Sequence, residues 1–208
     1  KPNTKMKVIL KNARLSFHDL FQARGFQGGD PKFSATLICG DETKVKFARH
    51  GEQVIEGHDV LTELTANVLS DKFGKGKHKA DNWFYNKADG STTRAKFTDK
   101  EDEYRNGVDS DTFYVTAAKR EDKARNGKMV VLDQRREPID ENSGLIYSGC
   151  YVNVILDVFA YEGGSGKGVT ASLEAVQLLR DGDSLAGAKA ADPLSDFDDE
   201  EIEASDLM

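Results

Sequence analysis

Between residues 72 and 87 the sequence reads KFGKGKHKADNWFYNK. Lys72, Lys75, Lys77 and Lys79 come close together, His78 stands among them, and Trp83, Phe84, Tyr85 and Lys87 follow. Gly74 and Gly76 make the segment pliable. Ammonium groups neutralise phosphates, and aromatic faces stack bases with little regard to their identity, at roughly 1–3 kcal/mol per base. These residue types suit non-covalent capture of a single-stranded polynucleotide. The plainer alternative is a solvated lysine loop whose aromatic triplet plugs the core, and part of the triplet serves the core on either reading.

Two further groups fit the same chemistry. In 151–161, Val152, Val154, Leu156, Val158 and Ala160 share one strand face. The other face mixes Tyr151, Asn153, Ile155, Asp157, Phe159 and Tyr161. Tyr114 and Thr116 likewise alternate with Phe113, Val115 and Ala117. Lys119, Arg120, Lys123, Arg125 and Lys128 form a basic finger on an expected hairpin over 119–136, diluted by Glu121 and Asp122 and followed by Arg135 and Arg136. The expected phosphate contacts are Lys72, Lys75, Lys77, Lys79, Lys87, Arg120 and Lys123. The expected stacking residues are Trp83, Tyr85, Tyr114 and Tyr151. The competing readings are aromatics packed under loops and a solvated hairpin tip.

A formal net charge of -7 over 208 residues argues against a polyanionic partner only if it is evenly spread. It is not. Residues 191–208 hold eight acids and no Lys or Arg, leaving 28 acids against 29 bases in residues 1–190. The body is close to neutral and the tail is acidic. Within the tail, Asp196, Asp198, Asp199, Glu200 and Glu201 are interleaved with Phe197 and Ile202. A merely solubilising tail has no use for the apolar residues. Such a segment suits competition with DNA for a basic groove, or presentation of an acidic peptide to a protein partner.

Enzyme signatures are weak. GGSGKG at 163–168 lacks the spacing of a phosphate-binding loop and has Gly168 where Ser or Thr coordinates magnesium. Glu121-Asp122-Lys123 matches the E-x-K of metal-dependent nucleases, but the tripeptide is common and falls in a turn. His18, His50, His58 and His78 are scattered and the two cysteines, Cys39 and Cys150, sit in apolar strands, so neither a metal site nor a cofactor is expected. No apolar run approaches the ~20 residues of a membrane span, Val154-Ile155-Leu156 being cut by Asp157, and Lys1, Lys5 and Lys7 bracket no long apolar stretch, so neither a membrane span nor a signal peptide is expected.

The elements that must hold these residues are mostly strands. Residues 6–17 read as a strand with Met6, Val8 and Leu10 on one face and Ile9, Ala13, Leu15 and Phe17 on the other. A Gly-rich link over 24–30 leads to a strand at 31–39. Asp41 reads as the N-cap of a helical stretch over about 42–70, divided near Gly51 and Gly57. Residues 71–110 are irregular. Strands follow at 112–119, 128–133, 149–161 and 169–180, with a loop at 162–168, and Asn126-Gly127 signals a turn. Residues 184–208 read as a disordered acidic tail on a domain spanning 1–183. This is a mainly-β chain, and a Greek-key barrel of the OB type with a helical insertion accounts for the strand count.

Three blocks carry a family resemblance: VILKNARLSF near the N-terminus, PKFSATLIC leading into a helix, and GKGVTASLEAVQLLRDGDSLAG before the acidic tail. The most specific is the last, with Gln177, Arg180, Asp181 and Gly182. On these the chain resembles bacteriophage and prophage single-stranded DNA-binding proteins, a group long known as a domain of unknown function. Many of their tails end in an aromatic residue, whereas this one ends Asp206-Leu207-Met208. The resemblance implies an OB-type fold, sequence-independent binding of single-stranded DNA in phage replication or recombination, a tail that modulates binding and recruits partners, and residence in the host cytoplasm. A strand-annealing mediator and a non-DNA-binding phage structural or inhibitor protein are the alternatives. Monomer and homodimer remain equally compatible with the sequence.

Overall fold

Alternation of apolar and polar residues builds five long strands, and their apolar faces close on one another. The computed structural model describes residues 5–48, 52–56, 59–76, 78, 85–87, 98–100, 103–104, 112–164 and 166–185. In chain order the elements are β1 (Met6–Arg24), β2 (Lys32–Cys39), β3 (Lys44–Ala48), β4 (Glu52–Glu56), α1 (Asp59–Phe73), β5 (Tyr85–Lys87), β6 (Thr98–Lys100), β7 (Glu103–Tyr104), β8 (Phe113–Arg120), β9 (Val130–Leu132), β10 (Tyr151–Gly163) and β11 (Gly166–Arg180).

The barrel runs β1–β2–β8–β11–β10 and returns to β1. All its contacts are antiparallel except β8–β11, a parallel seam made by one pair, Ser172 and Ala118. The fourth barrel strand, β10, comes back to lie beside the first, as a Greek key requires. This is the expected OB-type barrel. Val8, Leu10, Leu37, Cys39, Val115, Val154, Leu156 and Leu173 fill its interior. The helix α1 adds Leu61, Leu64, Val68 and Leu69 to that core and packs on β10 and β11. Cys39 and Cys150 are free and buried, and burial pushes both thiols up.

Bulges change which residues face inward. Met6, Val8, Leu10, Ala13 and Leu15 all lie in the core, not on two faces as simple alternation predicts. The register with β10 slips between Leu10 and Ala13, where Asn12 takes a φ of 60°. One inserted residue reverses the parity of everything after it. Phe17, inside a second irregularity between Ser16 and Asp19, is left exposed.

Two other expectations are corrected. The stretch 42–70 is not helical throughout: β3 and β4 pair as an antiparallel hairpin, and α1 begins only at Asp59. Lys44-Val45-Lys46-Phe47 alternates with period two, and pairing of β3 with residues Val8–Lys11 of β1 settles it as a strand. The segment 119–136 is not a hairpin either. Asn126 and Gly127 do adopt positive φ, but within the second of two short 3-10 turns, at 121–123 and 125–127. β9 then pairs in parallel with β11 rather than folding back on β8.

Candidate nucleic-acid interface

Pairing across β1, β2 and β8 aligns the outward side chains in rows. Arg24, Lys32 and Arg120 form one row, Asp19, Ser34 and Ala118 the next, and Ser16, Thr36 and Thr116 the third. The middle of this surface carries short side chains, with Ser16 buried and Asp19 charged, and one end combines the three cations with the carboxylates of Asp19, Asp30 and Asp122. In OB-type barrels, oligonucleotides lie over the second and third strands, here β2 and β8, between the loops joining strands one to two and four to five.

The first of those loops, residues 25–31, stands over the cationic end. Phe26 at its tip is 82% exposed. With Arg24, Lys32, Asp19, Asp30 and Ser34 it bounds an open cleft of about 560 Å³. Gly25 sets the loop's shape: a Cβ there would lie 2.6 Å from the Gly29 carbonyl oxygen. Carboxylates hold the arginines in place. Arg24 Nε lies 2.8 Å from Asp19, and Arg120 donates to both oxygens of Asp122 at 2.9 Å and lies 3.3 Å from Asp30. These pairs are solvent-exposed and therefore weak, so they leave the guanidinium groups available to other anions.

The second loop is the tight turn between Gly163 and Gly166. Beside it Lys167 Nζ lies 4.3 Å from the Phe73 ring centroid, Lys72 Nζ lies 5.9 Å from the same ring, and His78 stacks obliquely against it at 5.8 Å. Here an expected contact, Lys72, is brought to a barrel loop by the last turn of α1. The seam between β8 and β11 is fastened by Lys119, whose ammonium reaches both oxygens of Glu174 at 2.8 and 2.9 Å.

The remaining sequence-derived candidates fare differently. Lys75 and Lys123 are exposed. Tyr85 and Lys87 lie on β5, opposite Val115 and Phe113 of β8, so the backbone brings them beside the floor. Lys77, Lys79, Trp83 and the tail residues Asp196, Phe197, Asp198, Asp199, Glu200, Glu201 and Ile202 lie outside the described residues. Tyr114 is 6% exposed, set in a row between Ile38 and Asn86, and in this arrangement offers no open ring face. Tyr151 is half-buried with Arg180 stacked on its ring at 3.6 Å and Arg14 at 5.7 Å.

Tyr151 belongs to a clasp that anchors residues 180–185. Arg180 donates to the Asn12 side chain, Arg14 to the Asp183 carbonyl, and the Tyr147 hydroxyl donates to the Gly182 carbonyl and accepts from the Gly182 amide. Gly182 has no room for a Cβ, which would lie 2.3 Å from the Gly149 carbonyl oxygen and 2.7 Å from the Tyr151 ring. The Arg-Asp-Gly signature is thus a packing requirement.

A family model described as the single-stranded DNA-binding protein of Enterobacter phage Enc34 matches residues 6–208. The chain belongs to this family. Its members are binding proteins rather than enzymes. A phage relative, protein p50 of Acyrthosiphon pisum secondary endosymbiont phage 1, is 29% identical over 209 residues, covering 96% of this chain and all of p50. Among solved structures, the single-stranded DNA-binding protein from bacteriophage Enc34 in complex with ssDNA superposes with a TM-score of 0.59 at 23% identity, over 86% of this chain and 88% of that one. A C-terminal truncation of that protein superposes equally well, at 20% identity and the same coverage. At that identity the structures speak for the fold. No helix among the described residues is long and apolar enough to cross a membrane.

Proposed function

We propose that this protein binds single-stranded DNA without sequence preference, during phage replication or recombination in the host cytoplasm. The observation that carries the reading is membership of the Enc34 family over nearly the whole chain, on an OB-type barrel with an open β2–β8 floor. The strand runs over that floor from the cleft at Phe26 toward the turn at Gly163. Arg24, Lys32 and Arg120 take phosphates at one end, with Lys123 beyond them. Lys72, Lys75, Lys77, Lys79 and Lys87 take phosphates along the rest of the path. Phe26, Trp83 and Tyr85 stack bases. Tyr151 holds the clasp instead.

Residues 1–183 act as the binding domain and 184–208 as an acidic tail. The clasp roots the tail on the barrel, and the tail competes with DNA for the cationic surface and recruits replication or recombination proteins. Coating shifts hairpins toward the open form because only the single strand is bound.

The test is a titration of the full chain and a 1–190 truncation against single- and double-stranded oligonucleotides at two salt concentrations. The reading expects single-strand preference, affinity that falls with salt, and tighter binding after truncation. No binding of single strands by either form defeats it, and weaker binding after truncation defeats the competing role of the tail.

A further inference from the structure

The barrel carries a second cationic surface, away from the β2–β8 floor. On β1 the outward residues before the bulge are Lys5, Lys7, Ile9 and Lys11, since Met6, Val8 and Leu10 point into the core. The neighbouring strand β3 turns Lys44 and Lys46 outward around the buried Val45. Lys11 stands directly opposite Lys44, and Ile9 opposite Lys46. On the other side of β1, Ile155 pairs with Ile9 and Asp157 with Lys7, while Lys5 Nζ sits 5.7 Å from the Phe159 ring centroid.

Three features set this face apart from an ordinary solvated one. Lys7 and Lys11 are exposed and make no ion pair with any described residue, although Asp157 lies across from Lys7. Lys11 stands directly opposite Lys44, a like-charge pair across the two strands, with Glu56 of β4 on the far side of Lys44. Alternate residues on one strand are ~6.6 Å apart, so Lys5, Lys7 and Lys11 form a line that an extended sugar–phosphate backbone can follow. Half-buried Phe159 and Tyr161 of β10 continue the line toward the Gly163 turn and Lys167.

We propose that the outer face of β1 and β3, through Lys5, Lys7 and Lys11, is a second phosphodiester-binding path distinct from the β2–β8 floor. It rests on the reading of the chain as a single-strand binder. The phosphodiester backbone comes either from the far part of a strand already held on the floor or from a separate strand.

The test uses the full-length protein and its Lys5→Gln/Lys7→Gln/Lys11→Gln variant, with a thermal melt to confirm that both are folded. Two oligothymidylates are titrated: one of about 8 nucleotides, within the ~4–16 that a single barrel covers, and one several times longer than that span. The short strand is expected to bind both proteins alike. The long strand is expected to bind the variant about tenfold more weakly, with a log–log salt slope shallower by about 2, as loss of three phosphate contacts requires. Two short strands carrying a donor and an acceptor dye separate the sources. Energy transfer on wild type that is lost on the variant means a separate strand, and its absence beside a long-strand defect means one wrapped strand. Equal binding of the long strand by both proteins overturns the proposal, and so does an equal loss for the short strand, which places these lysines on the floor's own path. Failure of wild type to bind either strand removes the single-strand reading together with the inference.

Discussion

The guanidinium of Arg180 lies 3.6 Å from the centroid of the Tyr151 ring, at the point where the last barrel strand ends. That stack joins β11 to β10 and, through Asn12 and Arg14, to β1. An aromatic that alternation places on an outward face is therefore committed to holding the chain. Replacing Arg180 with Ala removes a cation–π contact and a hydrogen bond and is expected to cost about 1–2 kcal/mol. Gly182→Ala forces a methyl group into the Gly149 carbonyl and is expected to cost at least ~2 kcal/mol. Denaturant unfolding measures both. Unchanged stability in Gly182→Ala would mean that the clasp is not closed in solution.

Phe26 has the opposite character. Its ring is exposed in a glycine-rich loop, so Phe26→Ala is expected to leave the melting temperature unchanged while weakening oligonucleotide binding by ~1–3 kcal/mol. Phe26→Trp should restore affinity and add fluorescence quenching on binding. A Phe26→Ala protein that binds as wild type does would remove stacking from this loop.

Arg120 is restrained by Asp122 and Asp30. Asp122→Asn releases one restraint and removes a negative charge beside the phosphate path. Single-strand affinity is expected to rise a few-fold at low salt and to converge with wild type at high salt, where screening weakens both. A fall in affinity would mean that Asp122 positions Arg120 for DNA rather than competing with it.

Among the described residues, two groups with shifted titration shape the acid side of the stability profile. Burial raises the Glu174 carboxyl, but hydrogen bonds from Lys119 and Ser172, with the charges of Lys119 and Lys5, outweigh it and hold the group below its ordinary value of 4.5. Its contribution is complete above that value and is lost as pH falls through the lower folded value. Glu174→Gln should flatten the loss below pH ~4.5 and cost about 1 kcal/mol near neutrality. Burial lowers the His18 imidazole below its ordinary 6.5, against the pull of Asp19 and Glu141, and its Nδ1 is buried without a partner among the described residues. The unfolded chain takes that proton first, so stability falls as pH drops below ~6.5. His18→Gln should flatten the curve between pH 7 and 5. Melting temperatures across pH 3–8 separate the two windows.

Legibility in the sequence followed from how local each signal is. Strict alternation in residues 151–161 and 31–39 located β10 and β2, because a half-buried strand writes its pattern into neighbouring residues. Leu61, Leu64 and Val68 marked α1 for the same reason. The bulge at Asn12 leaves no local mark, so alternation alone puts Ala13 and Leu15 on the face opposite Val8 and Leu10. Four or five alternating residues in β3 and β4 were too few to outweigh the helical signal of Asp41, and only pairing with β1 decides them. The parallel partner of β9 is a tertiary fact. At the site, the lysine content of the segment after α1 was legible, whereas the cleft at Phe26 was not, since Arg24, Lys32 and Arg120 meet only through strand register. The cue was present all the same, as an aromatic among Gly25, Gly28 and Gly29.

The central claim is that a single strand lies on the β2–β8 floor beneath Phe26. Photo-crosslinking of full-length protein to an oligonucleotide carrying 5-iododeoxyuridine at each position in turn, followed by peptide mapping, tests it directly. The account predicts that the principal adducts fall on Phe26 and on residues of β2, β8 and β5. Adducts confined to other surfaces, with Phe26 unmodified at every probe position, would contradict it.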